Sequence, residues 1–171
     1  MLIGLIADTH VPRDAKALPP QVKLAFRGVD LILHAGDIYV PGVLDELEKT
    51  APVLAARGNG DHDLHEDRRL KDSHILRIDG LRLGLAHIVI YPELPHYPLD
   101  GTMERHFGGP VDIIVFGDTH VALVESYRGV LLVNPGSPTL PNGLFKLGTV
   151  GLLEITGGKA GARIVHLSDV S

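Results

Sequence analysis

The stretch MLIGLIADTH, residues 1–10, decides how the rest of the chain is read. Leu2, Ile3, Leu5 and Ile6 form a short apolar run that stops at Asp8, with His10 two residues on. A short apolar run bounded by polar residues reads as a buried strand. Its carboxyl end delivers a carboxylate and an imidazole onto the next loop, at the edge of an α/β sheet where sites are built. Together they offer one oxygen and one nitrogen to a metal ion. Taken alone, the pair fits a helix-capping Asp8 and a surface His10 equally well. Recurrence of the same pattern down the chain tips the reading toward a metal.

Working outward, Val11 to Lys16 reads as a loop closed by Pro19-Pro20. Gln21 to Arg27 has helical apolar spacing at Val22, Ala25 and Phe26, and Gly28 ends it. Asp30 to His34 is a second buried strand running into Ala35-Gly36-Asp37. Pro41 opens a helix with Val43, Leu44 and Leu47 on one face. Pro52 to Ala56 is a third strand, ending in Arg57-Gly58-Asn59-Gly60-Asp61. This β-α-β-α-β order argues for a parallel sheet with right-handed crossovers.

From about His74 the pattern changes. Ile75–Ile78 and Leu81–Ala86 flank Asp79-Gly80, a strong hairpin signal, and the second strand ends at His87. Ile88 to Pro98 reads as a proline-rich loop carrying Tyr91 and Tyr97, and Leu99 to Phe107 as a short helix. Val111 to Phe116 is another buried strand, ending in Gly117-Asp118-Thr119-His120. Val121–Tyr127 and Val130–Val133 form a hairpin across Arg128-Gly129, followed by Asn134-Pro135-Gly136-Ser137. Gly148–Ile155 and Gly161–Leu167 make a last hairpin about Gly157-Gly158. The expectation is one α/β domain over 1–171, a parallel half followed by an antiparallel half.

Composition narrows the class. The 171 residues suit a single domain. A net charge of −5 gives no basic face, so nucleic acid is not indicated. A small phosphate ester remains compatible where a metal supplies positive charge. The absence of cysteine rules out disulfides and thiolate metal sites. No apolar stretch reaches membrane-spanning length and no basic leader precedes the first run, so a cytoplasmic protein without a membrane partner is expected. A homo-oligomer stays open.

Each of these strands ends at a potential ligand: Asp8 and His10, Asp37, Asn59, His87, Asp118 and His120. Glycine precedes three of them, at Gly36, Gly58 and Gly117, where it permits close backbone approach. The donors are nitrogen and oxygen only, and numerous enough for two ions about 3.5–4 Å apart bridged by one carboxylate.

In order and spacing, Asp8-x-His10, Gly36-Asp37, Gly58-Asn59-x-Asp61, His87 and Gly117-x-x-His120 resemble the calcineurin-like metallophosphoesterases. The length, the Leu33 to Asp37 block and Asn134 to Ser137 resemble the compact YfcE-type branch. The resemblance implies a four-layered α/β/β/α sandwich. It implies that Asp8, His10 and His120 hold one divalent ion, that Asn59, His87 and Asp118 hold a second, and that Asp37 bridges them. Asp37, Asn59 and His87 are then the catalytic candidates. Manganese heads the implied ions, with magnesium, iron, nickel and zinc open. The implied reaction is hydrolysis of a phosphate ester, more readily a diester, by a metal-bridging hydroxide.

Two positions depart from the family pattern. Asp118 stands where the family usually has histidine, which adds a charge and shifts the site toward magnesium or manganese. Loss of the second ion is the alternative. Gly60 stands where many members carry a histidine that protonates the leaving group, and His62 or His65 are the nearby substitutes. One relative, the retromer subunit, has this fold and serves as a scaffold, so a catalytically weakened, metal-binding interaction module is the competing reading. Of the remaining groups, His34 either orients a ligand or is a core histidine. Asp61 caps or supports the site, and Asn134 to Ser137 supports the site loops. Arg13 and Arg57 are the basic residues near enough to hold a phosphate, although Arg13 reads first as solvated. His74, His96, His106 and His166 read as surface residues.

Overall fold

The computed structural model describes residues 1–64, 66–89, 98–140 and 147–171. The strands of its first half are β1 (Leu2–Ile6), β2 (Leu31–His34), β3 (Val53–Ala56), β4 (Leu70–Lys71), β5 (Ser73–Ile78) and β6 (Leu81–Ala86). They are followed by β7 (Ile113–Val115), β8 (Leu123–Tyr127), β9 (Val130–Asn134), β10 (Thr149–Thr156) and β11 (Lys159–His166). Among the described residues three α-helices intervene: α1 (Pro20–Ala25), α2 (Pro41–Glu48) and α3 (Leu99–Phe107). Proline opens α1 and α2 at a position where its missing N–H costs nothing. Gly108 closes α3 in the left-handed region that a helix end favours.

The strands form two sheets, ordered β11-β10-β1-β2-β3-β4 and β5-β6-β7-β9-β8. Three apolar cores account for the four layers. Val22, Phe26, Val43, Leu44 and Leu47 pack with Ile6 and Ile32, between α1, α2 and the first sheet. Ile3, Leu5, Leu31 and Leu33 meet Leu83, Leu85, Ile113 and Val115 between the sheets. Leu99, Met103 and Phe107 of α3 cover Ile114 and Leu132 on the far face of the second sheet. Alternate residues of β1 and β2 therefore serve two different cores. Both faces are buried, so these strands read as unbroken apolar runs. This is the expected four-layered α/β/β/α sandwich.

The expected split into a parallel and an antiparallel half needs correcting. β1, β2 and β3 are parallel, and so are β6, β7 and β9 in the second sheet. Antiparallel strands flank the second group on both sides and the first only at β10, since β4 continues parallel to β3. The last hairpin returns to the first sheet, where β10 pairs with β1 in the register Leu2 to Glu154. The two-residue β4 has no sequence signal, being too short to show a period. His74, expected at the surface, points inward from β5 and bonds the Ala55 carbonyl at 2.8 Å through Nε2. Burial lowers its pKa below the ordinary histidine value. The loop with Tyr91 and Tyr97, and His96, lie outside the described residues.

Candidate metal centre

The parallel strands of both sheets end on the same side of the molecule, and their loops are tied together there. The Asp8 N–H donates to the Gly36 carbonyl at 2.9 Å, joining the β1 and β2 loops. The Gly117 N–H donates to the His87 carbonyl at 3.0 Å, joining the β7 and β6 loops. His87 Nδ1 lies 2.7 Å from the Ala35 carbonyl, joining the two sheets. Because a carbonyl can only accept, Nδ1 carries the proton and Nε2 is left with its lone pair.

Two compact ligand groups result: Asp8, His10 and His120, and Asp8, Asp37 and His87. Within each, the ligand atoms lie within 4.8 Å of one another. Asp37 faces both ways. Its Oδ2 is 3.2 Å from His10 Nε2 and its Oδ1 is 3.6 Å from His87 Nε2. His10 Nδ1 is held by Asp14 Oδ2 at 2.7 Å, which turns Nε2 toward the cluster. His120 Nε2 lies 3.8 Å from Asp8 Oδ1. Asp118 sits at the rim, with Oδ1 3.8 Å from His87 Nε2 and its side chain partly exposed. Asn59 is exposed in the turn after β3, beside Gly60, whose N–H donates to Asp37 Oδ1 at 2.8 Å.

The electrostatics call for a cation. Asp8 and Asp37 are both buried, yet Asp8 Oδ2 and His87 Nε2 have no hydrogen-bond partner among the described residues. A buried polar atom without a partner is costly. Burial first, and the Asp37 charge second, push the Asp8 carboxyl up to about 8. Burial likewise lowers the His120 pKa, keeping that ring neutral and able to ligate. An ion between these groups supplies the missing partner and the missing charge at once. The nitrogen and oxygen donors fit a divalent ion of the manganese, iron, zinc or magnesium kind.

The supports expected of Asp61 and His34 are made across sequence-distant loops. Asp61, fully buried, accepts four backbone N–H groups: Gly58 at 2.7 Å, Asp37 at 3.0 Å, Ile38 at 2.7 Å and Tyr39 at 2.9 Å. One carboxylate thus ties the Asp37 loop to the β3 loop. Gly58 has no room for a side chain, since a Cβ there overlaps the Asp37 backbone and carboxylate. His34 takes the Gly36 N–H on Nδ1 at 3.1 Å and lies 3.2 Å from Thr9 Oγ1 through Nε2. Thr9 in turn donates to the Asp37 carbonyl at 3.3 Å. His34 is therefore a neutral buried orienter of the Asp37 loop, its pKa lowered to about 4 by burial.

Asn134 donates to the Gly117 carbonyl at 2.9 Å and Ser137 Oγ to the Asp8 carbonyl at 2.7 Å, the support expected of that segment. Arg57 is engaged away from the cluster, on Asp72 at 3.1 Å and the Asp61 carbonyl at 3.3 Å. His62 is exposed on a one-turn 3-10 helix, and His65 lies outside the described residues.

Comparison with known proteins agrees with this geometry. Residues 1–158 match the calcineurin-like phosphoesterase superfamily domain. A probable metallophosphoesterase of Methanothermobacter thermautotrophicus is 39% identical over 168 residues, covering 97% of this chain and 92% of that one. A phosphodiesterase of Methanocaldococcus jannaschii is 27% identical over 168 residues, covering 90% and 93%. The crystal structure of Chaetomium thermophilum Vps29 superposes with a TM-score of 0.73 at 20% identity, covering 96% of each chain, which speaks to the fold.

Proposed function

The chain belongs to the calcineurin-like phosphoesterase superfamily, and on that premise we propose that it is a divalent-metal-dependent phosphodiesterase working at a two-ion site. The observation that carries this reading is the pair of buried, partnerless atoms, Asp8 Oδ2 and His87 Nε2, facing a cluster of further nitrogen and oxygen donors. Asp8, His10 and His120 would hold one ion, and Asn59, His87 and Asp118 the other. Asp37 stands between them, one oxygen toward His10 and one toward His87. Ions bound there would supply an activated water and polarise the phosphoryl oxygens.

The protein's own groups fix the geometry for this. Asp14 and the Ala35 carbonyl hold the Nδ1 atoms of His10 and His87, which aims both Nε2 atoms at the cluster. Asp61 holds the Asp37 backbone, and Gly60 N–H fixes one Asp37 oxygen. With carboxylates at 8, 37 and 118, the donor set is oxygen-rich, which favours manganese or magnesium. The diester preference rests on the phosphodiesterase of M. jannaschii.

No described helix is long and apolar enough to cross a membrane. A cytoplasmic, single-domain enzyme of a small phosphate ester is the reading that joins these features. Its test is hydrolysis of bis-p-nitrophenyl phosphate by the manganese-loaded protein. Turnover that is lost with a chelator and restored by manganese is the expected result. Stoichiometric metal with no turnover of this or any activated monoester would contradict the reading and leave the interaction scaffold.

A further inference from the structure

Tyr39 lies at the mouth of the cluster in a conformation that its own residue type does not favour. It is half-buried, with φ +73°, in the left-handed region where a side chain is strained. Asp61 holds its N–H at 2.9 Å. Its ring stands edge-on to the ligand His10, with centroids 5.0 Å apart at 83°. The ring fills the space above the β3 loop so fully that a Cβ on Gly60 would overlap it. Gly60 is thus the residue that makes room for Tyr39.

The hydroxyl has a second neighbour of matching chemistry. Arg13 Nη1 donates to the Tyr39 oxygen at 3.3 Å, and its guanidinium lies 5.9 Å from the ring centroid. Because the oxygen accepts from Arg13, its own proton is available to a third group. The Arg13 side chain is 70% exposed, and its carboxylate contact among the described residues is Asp14 at 3.9 Å, itself engaged by His10 at 2.7 Å. A guanidinium has five N–H donors, and most of these remain for a ligand. Arg57, the other cation nearby, is engaged elsewhere.

We propose that Tyr39 and Arg13 form a phosphoryl-binding pair, the phenol hydroxyl and the guanidinium each donating a hydrogen bond to the oxygens of a phosphate ester seated on the metal cluster. The assignment rests on the phosphoesterase reading for its ligand. It goes beyond that reading in naming residues outside the ligand set. The pair binds and orients the anion and takes no part in proton transfer. The strained backbone at Tyr39 is consistent with this, since strain held by surrounding bonds gathers where a side chain is aimed.

Tyr39→Phe keeps the ring that packs on His10 and removes only the hydroxyl, so the fold and the metal content stay as they are. The experiment is calorimetric titration of inorganic phosphate into the manganese-loaded protein, run beside bis-p-nitrophenyl phosphate kinetics. Wild type is expected to bind phosphate, and Tyr39→Phe to bind it about tenfold more weakly, the loss of one charge-assisted hydrogen bond. KM should rise by a similar factor, with kcat less affected. Arg13→Gln should weaken phosphate as well, and the double variant should lose less than the two single losses combined, because the groups share a contact. Unchanged phosphate affinity and unchanged KM in Tyr39→Phe overturn the pair while leaving the hydrolase standing. Tyr39-dependent phosphate binding without turnover in wild type supports the pair and overturns the hydrolase. Failure of the loaded wild type to bind phosphate overturns the pair.

Discussion

At the hairpin turns Asp79-Gly80 and Arg128-Gly129 the backbone enters the left-handed region for a local reason, whereas at the candidate metal site it does so under constraint from distant parts of the chain. Asp79, Gly80, Arg128 and Gly129 have φ of 47, 83, 49 and 83°, the geometry of a two-residue turn that matches strand twist. Asp8, His10, Asp37, Tyr39, Asp118 and His120 also have positive φ, between 48 and 73°, with no turn of that kind to require it. Asp61, Gly36, Asn134 and Ser137 hold them there from other loops. The hairpins spend their φ on reversing the chain. The cluster uses it to aim side chains inward from three strand ends, those of β1, β2 and β7.

The difference can be broken at its strongest point. Removing the Asp61 carboxylate leaves four buried N–H groups without their acceptor. Asp61→Ala should cost about 3–5 kcal/mol and lower metal affinity sharply, both readable by denaturant titration with and without manganese. Stability within about 1 kcal/mol of wild type would mean that the loops hold themselves.

Acidity gives a second, intermediate test. The folded pKa of Asp8, about 8, lies above its unfolded value, so folding favours the protonated form. The metal-free protein therefore loses stability as pH rises from about 4 toward 8. His34 works in the opposite sense, losing stability as pH falls from 6.5 toward 4. Between pH 6.5 and 8, Asp8 is thus read free of His34. The melting temperature of chelated protein should fall across that window, and saturating manganese should flatten it. Metal affinity should rise about tenfold per pH unit there, one proton being displaced. A flat chelated profile would contradict the buried, uncompensated carboxylate.

The smallest effect belongs to the hairpin. Gly80 has φ +83° and open space around it, so Gly80→Ala meets only backbone strain. It should cost about 1 kcal/mol and leave metal affinity unchanged. A change in metal binding would show that the two regions are coupled.

What the sequence revealed follows the same division. Strands β1, β2, β3, β6 and β7 and the candidate ligands at their ends are local signals: apolar runs, glycines, and a donor at each end. The hairpin turns were equally legible from their dipeptides. What escaped notice depends on tertiary placement. The placement of the Tyr39 ring has no local signal, because the room for it is left by the glycine 21 residues on. Asp61 showed one carboxylate near the site, and nothing local could reveal four N–H groups from two loops. β10 finds β1 across most of the chain, which no short-range pattern encodes. His74 read as exposed because its partner, the Ala55 carbonyl, belongs to another strand.

The central claim is that the loops converge to hold two ions with Asp37 between them. The most direct measurement is metal stoichiometry of wild type and Asp37→Ala after manganese loading and desalting, with circular dichroism to confirm folding. Two ions per wild-type chain, and at most one in a folded Asp37→Ala that has lost hydrolysis, is the expected result. A single ion in wild type, or full occupancy and activity in Asp37→Ala, would contradict it.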